Sequence, residues 1–179
     1  MCAAADREQH GETYWHRKRQ LPGVEICLEH RCRLENSSNG ITVESQRFKL
    51  IHAEMIVPQY TPVNLDVSDL EYQLSDYVMQ IFDADMDFEN DVSVGKFLQS
   101  RLEGTPYTSL RGEQVFARKL YAALSEYYMD LPQYSLEAWW YVQKVFCSQD
   151  FHTFDVSLIA FFLGIPIHDL LHMTLPELT

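Results

Sequence analysis

The feature that most constrains this chain is the spacing Cys27-Leu28-Glu29-His30, placed just after the turn sequence Leu21-Pro22-Gly23. Two soft ligands three positions apart can be aimed at one zinc ion by a tight turn. A structural zinc site needs four ligands. Upstream, Cys2 is the cysteine available, with His10 and His16 as further nitrogen donors, and Cys32 follows downstream. The same residues also read as a buried Cys27 beside a surface His30. Proline fixes one backbone dihedral and glycine admits positive φ, so the chain can reverse at Pro22-Gly23 and carry Cys27 back towards Cys2. Tyr14 and Trp15 are expected to cover such a site and bury its thiolates, with base stacking as the other use of Trp15. His16-Arg17-Lys18-Arg19 is the dense basic run of the sequence. It suits a phosphate backbone, an acidic partner surface, or plain solvation.

Charge separates this stretch from the rest of the chain. The net charge is −12, yet residues 1–50 hold eight Lys/Arg and seven Asp/Glu, while residues 51–179 hold six and nineteen. Contact with nucleic acid belongs to the first fifty residues, because phosphate binding needs cations that displace counterions. The acidic remainder would repel a duplex and suits a protein partner. A hydrophobic share of 46% with 13% aromatic residues predicts a folded chain. No apolar run reaches the roughly 18 residues of a membrane span. The opening Met1 to Asp6 has neither a basic n-region nor a long apolar stretch, so a signal peptide is not expected. The four cysteines then read as thiols or metal ligands rather than as a disulfide framework.

Along the chain, residues 1–65 read as a small zinc-finger-like module with minor β structure and a connector. Asn39-Gly40 suits a hairpin turn, Ile41-Thr42-Val43 a short strand, and Pro58 and Pro62 a linker. Residues 66–179 read as an acidic helical body, which makes the fold class mainly α. Ser68-Asp69-Leu70-Glu71 has the form of a capping box. Val67, Leu70, Leu74, Tyr77, Val78 and Ile81 then recur at helical spacing. The acidic run 83–91 fails as a calcium loop, because Phe88 and Val94 stand where glycine and a bidentate glutamate are required. Ser93 predicts a helix cap, with Val94, Phe97, Leu98 and Leu102 on one face. Phe116, Leu120, Ala123, Leu124 and Tyr127 form the next stripe. A helix from Ser135 carries Trp139 and Trp140 as expected core anchors, and Cys147 is expected to be a buried, inert thiol. The apolar helix around Phe154–Leu163 should be central. Gly164 and Pro166 then give a helix-turn-helix-like layout. Its second helix offers His168, Asp169 and His172, where base readout favours Arg, Lys, Asn or Gln. It is therefore read as a packing unit.

The run Gly11-Glu12-Thr13-Tyr14-Trp15-His16-Arg17, then Gln20-Leu21-Pro22-Gly23-Val24, then Cys27-x-x-His30 and Leu34, resembles the TniQ/TnsD family of transposon target-selection proteins. More weakly, so do Phe97-Leu98 through Gly104, the helix 111–128, and His152 leading into Leu158–Gly164. In that family a C-P-x-C pair before the run and a C-P-x-H pair after it bind one structural zinc. The resemblance implies Cys2, Cys27 and His30 as ligands. The first cysteine of the leading pair would precede Met1, so the fourth ligand falls to Cys32, His10, water, or residues upstream of Met1. Arg19 stands where the family usually has His, Leu28 where it often has Pro, Thr153 for a proline and Ala160 for a basic residue.

No phosphate-binding glycine loop, activated nucleophile or H-E-x-x-H framework occurs, so no enzyme is expected. The resemblance implies a non-enzymatic targeting adaptor of a DNA transposition system in a prokaryotic cytoplasm. It would link target recognition to an AAA+ ATPase and a transposase. Its target is either DNA itself or a CRISPR effector complex; a homodimer is compatible and no membrane is involved. From another class, an acidic inhibitor or DNA mimic derived from such a factor fits the charge of the body.

Overall fold

The computed structural model describes residues 3–34, 53–55, 69–84, 92–131, 134, 136–147 and 151–173. Among them are seven α-helices: α1 (Ala3–His10), α2 (Leu70–Asp83), α3 (Val94–Arg101), α4 (Ala117–Tyr127), α5 (Trp139–Cys147), α6 (Thr153–Phe162) and α7 (Ile167–His172). One antiparallel pair, β1 (Ile26–Cys27) and β2 (Cys32–Arg33), sets Ile26 opposite Arg33 and Cys27 opposite Cys32. The mainly helical class with minor β structure is therefore present. The expected hairpin at Asn39-Gly40, the strand at Ile41–Val43, the prolines Pro58 and Pro62, and most of the acidic run lie outside the described residues, as does Cys2.

Two compact units divide the chain, residues 1–79 and 80–179. The boundary expected after residue 65 lies earlier than this division, which falls within α2. Side chains of α2 account for the difference. Arg33 donates two hydrogen bonds to the Glu71 carboxylate, one of 2.6 Å, and Glu71 is almost fully buried. The Tyr72 hydroxyl donates to the Leu28 carbonyl at 3.4 Å, and Ser75 Oγ donates to the Gly23 carbonyl at 3.2 Å. Ser75 Oγ also accepts from the Glu25 amide. Three residues of one helix thus hold the strand pair and the turn before it. The α2 cap is Asp69, whose Oδ1 accepts from the amides of Glu71 and Tyr72 at 3.0 and 3.2 Å. Glu71, the expected capping-box partner, is engaged by Arg33; Ser68, the other member of that box, lies outside the described residues.

The second unit packs around α5, which lies against α3, α4 and α6. Its core comprises Phe97, Leu98, Leu102, Leu120, Leu124, Val142, Val145, Leu158 and Ile159, all essentially excluded from solvent. Ser93 caps α3 as expected, accepting from the Lys96 amide at 3.4 Å. The Tyr128 hydroxyl donates to the Leu158 carbonyl at 2.9 Å, so buried Tyr128 takes the inward place expected of Tyr127. The expected pair of tryptophan anchors is corrected: Trp140 is 52% exposed, and Val142 and Val145 fill the core from α5. Cys147 is exposed rather than buried. Gly164, at φ 65°, ends α6, and the Ile165 amide donates to the Ala160 carbonyl at 3.0 Å. Pro166 stands before the first residue of α7, and Arg101 of α3 pairs with Asp169 of α7 at 3.0 Å.

Gly95 lets the backbones of α3 and α5 approach closely. A Cβ there would lie 2.7 Å from the Val145 carbonyl oxygen and 3.1 Å from the Phe146 Cα, both rigid backbone atoms. Gly95→Ala gains about 1 kcal/mol of helix propensity, but separating α3 from α5 costs about 1–3 kcal/mol, the range of overpacking. A lower midpoint in urea denaturation with an unchanged slope is expected; an unchanged or raised midpoint would show that α3 and α5 can part without loss.

Candidate zinc half-site and basic groove

The turn between β1 and β2 follows from its residues. Leu21 to Val24 form a turn closed by the Val24 amide donating to the Leu21 carbonyl at 3.1 Å, with Gly23 at φ 86°. That is the positive φ a proline-glycine turn requires at its third position. The chain then enters β1, reverses over Leu28–Arg31, and leaves along β2. Arg31 takes φ 48°, uncommon for a residue with a Cβ. Its guanidinium rests 5.1 Å from the centre of the Tyr72 ring, so the same tyrosine braces the turn by its hydroxyl and by its face.

This turn brings Cys27 and His30 together. Sγ and Nδ1 are 3.4 Å apart. Two ligands of a tetrahedral zinc with bonds of about 2.3 Å to sulfur and 2.0 Å to nitrogen stand about 3.5 Å from each other. The pair therefore has the separation of half a zinc site, and the same distance suits a thiol–imidazole hydrogen bond. Cys27 is buried and His30 half-buried. Cys32 is buried opposite Cys27 in register. Among the described residues, no three His, Cys, Asp or Glu side chains form a metal-holding group. Cys27 and His30 would hold the ion, and a full set needs ligands beyond them. Cys2, the ligand implied by the resemblance, lies outside the described residues, and Cys32 is the described cysteine nearest in register.

The basic run divides into two kinds of residue. Asp6 of α1 is 3% exposed and gathers three partners. Thr13 Oγ1 donates to its Oδ2 at 3.1 Å, His16 Nε2 lies 2.9 Å from Oδ1, and Arg19 donates to Oδ1 at 3.1 Å. Burial raises the affinity of this carboxyl for a proton. The hydrogen bond and charge of His16, with the bonds from Thr13 and Arg19, outweigh burial and hold it below its ordinary value of 3.8. Arg19 also lies 3.7 Å from Glu29. Thus His16 and Arg19 tie α1 to the chain before the turn, whereas Arg17 and Lys18 are exposed. A second carboxylate extends the tie: Glu54 accepts from Arg7 at 2.8 and 3.0 Å and from the Thr13 amide at 2.9 Å.

Tyr14 and Trp15, expected to cover the thiolates, are themselves 43% and 38% exposed, and Cys27 beside them is buried. With Arg17, Lys18, Cys27 and Leu28 they line a groove of about 540 Å³. The tyrosine ring lies 4.1 Å from the His16 ring, which holds it along this wall. Aromatic faces beside exposed cations give the groove a surface on which planar groups stack and phosphates or carboxylates pair. Sequence reasoning assigned Asp6 no role and read Glu71 as part of a helix cap rather than as a partner of Arg33. The one signal for Asp6 was a lone acid on the face of a short helix preceding a cationic run.

No protein-family model, curated protein or solved structure matches this chain.

Asp6→Asn should lower the stability of the first unit by about 1–3 kcal/mol, since Arg19 loses a buried charged partner. A carboxyl held below its unfolded value contributes stability in full above that value and loses it as pH falls through the folded value. The gap between wild type and Asp6→Asn, measured by denaturation at successive pH values, should be widest above about pH 5 and close below about pH 4. A gap that widens on acidification would exclude the charged hub. For metal, zinc measured by plasma mass spectrometry on purified protein should be sub-stoichiometric and fall to background in Cys27→Ser and in His30→Ala. Retention of zinc in both variants would remove the half-site.

Proposed function

We propose that this chain is a non-enzymatic targeting adaptor of a DNA transposition system, of the TniQ/TnsD kind. It links recognition of a target, whether DNA or a guide-RNA complex, to the AAA+ ATPase and transposase that act there. The groove carries this reading. Its wall presents Tyr14, Trp15, Arg17 and Lys18 beside the Cys27–His30 turn, within the residues that carry the family resemblance. A structural zinc at the turn would fix that wall, as metal binding does in small modules with little core of their own. The helical unit supplies no comparable cationic wall for a duplex: residues 80–179 carry six Lys/Arg against fourteen Asp/Glu. Its role is to meet proteins.

The division within the basic run shapes the test. Neutralising His16 or Arg19 would disturb the Asp6 hub, so the informative change is Arg17→Gln with Lys18→Gln. Wild-type affinity for a duplex, measured by fluorescence anisotropy, should be weak and fall steeply with salt. Two lost phosphate contacts should flatten the slope of log K against log salt by about 2. An unchanged slope would place the DNA contact elsewhere. A pull-down with the cognate ATPase should retain that protein. Failure to retain it, together with competition against DNA for a partner's binding surface, would favour the acidic mimic over the adaptor.

A further inference from the structure

The second unit contains a cavity of about 570 Å³ whose chemistry the adaptor reading does not use. It lies where the start of α4 faces α5, in the size range of small-ligand sites. Arg118 and Lys119 line it side by side. They are two of only six cations in residues 80–179, among fourteen carboxylates. Electrostatics alone would pair them with acids. Instead, the Arg118 guanidinium lies 4.5 Å from the centre of the Trp139 ring and Lys119 Nζ lies 4.8 Å from that of Phe116. Among the described residues neither forms an ion pair. Both also occupy the first turn of α4, where the helix dipole disfavours cations. The arrangement is unfavourable for an empty helix start and favourable around an anion.

The remaining lining narrows the ligand. Trp139 and Phe146 supply aromatic surface, and Gln114 and Gln143 supply amide donors and acceptors. Glu113 adds one carboxylate, an acceptor that an exocyclic amine can meet. Anion-binding cations, stacking faces and neutral hydrogen-bonding edges in one cavity match a planar heterocycle bearing a phosphate. We propose that this cavity binds a nucleotide, with Arg118 and Lys119 receiving the phosphate and the aromatic surface receiving the base. The ligand is either a free mononucleotide or the phosphorylated end of a single strand, since both present the same chemistry.

Isothermal titration of the full chain with AMP, adenosine and a 5′-phosphorylated adenine tetranucleotide tests this. AMP should saturate one site at concentrations up to about 1 mM. Adenosine should bind about tenfold more weakly, because it offers the cations nothing. Arg118→Gln with Lys119→Gln should weaken AMP by about tenfold or more, with thermal unfolding unchanged. The charge-matched pair Lys96→Gln with Arg111→Gln, outside the cavity, should leave AMP binding within about twofold, as should Arg17→Gln with Lys18→Gln. Equal affinity for AMP and the tetranucleotide assigns a free nucleotide; tighter tetranucleotide binding that survives the Arg17 and Lys18 changes assigns a strand end. Absence of saturation by all three probes overturns the proposal. So does AMP binding insensitive to the Arg118 and Lys119 changes, or equally weakened by the charge-matched pair.

Discussion

The Asp6 carboxylate, 3% exposed and shared by Thr13, His16 and Arg19, is the interaction on which the first unit depends. A buried carboxylate is tolerated only where cations and hydroxyls replace its water. Here those groups come from the segment that leads into the Pro22-Gly23 turn. The hub therefore converts a short helix and an irregular stretch into one body, in a region with few large apolar side chains. Glu71 repeats the device with Arg33, and the more exposed Glu54 adds a tie to Arg7 and the Thr13 amide.

This construction explains why the basic run cannot act as one surface. Two of its four residues are committed inward, and the two left exposed adjoin the aromatic pair Tyr14 and Trp15. The binding character of the groove comes from that partition. The second unit obeys different physics, being assembled by apolar burial around α5 and by one glycine contact. Its polar hydrogen bonds, such as Tyr128 to the Leu158 carbonyl, serve to register helices already driven together.

Much of the local structure was legible in the sequence. The turn at Pro22-Gly23, the Ser93 cap, the stripe Phe97, Leu98 and Leu102, and the break at Gly164 each follow from a local rule of dihedral preference or periodicity. The pairing of Cys27 with His30 was equally readable, because three residues of turn admit few arrangements. Less readable was the outward placement of Trp140, Tyr14 and Trp15. Hydrophobicity alone argues for burial, but a helix has one inward face, and Val142 and Val145 occupy it on α5. The exposure of Cys147, at the last residue of that helix, has the same origin.

By itself, then, the sequence determined the helical class, the turn, the Ser93 cap, the break at Gly164, and the candidate pair Cys27 and His30. Tertiary structure alone decided which charges would turn inward. Asp6 meets Arg19 across thirteen positions, and Glu71 meets Arg33 across thirty-eight. Local rules of dihedral and period do not reach so far, since such pairs form only when packing removes water from both partners at once. The same holds for Arg118 and Trp139, brought from two helices to one cavity. Ligand chemistry lives in these long-range juxtapositions, while the elements that carry them are set by nearest neighbours along the chain.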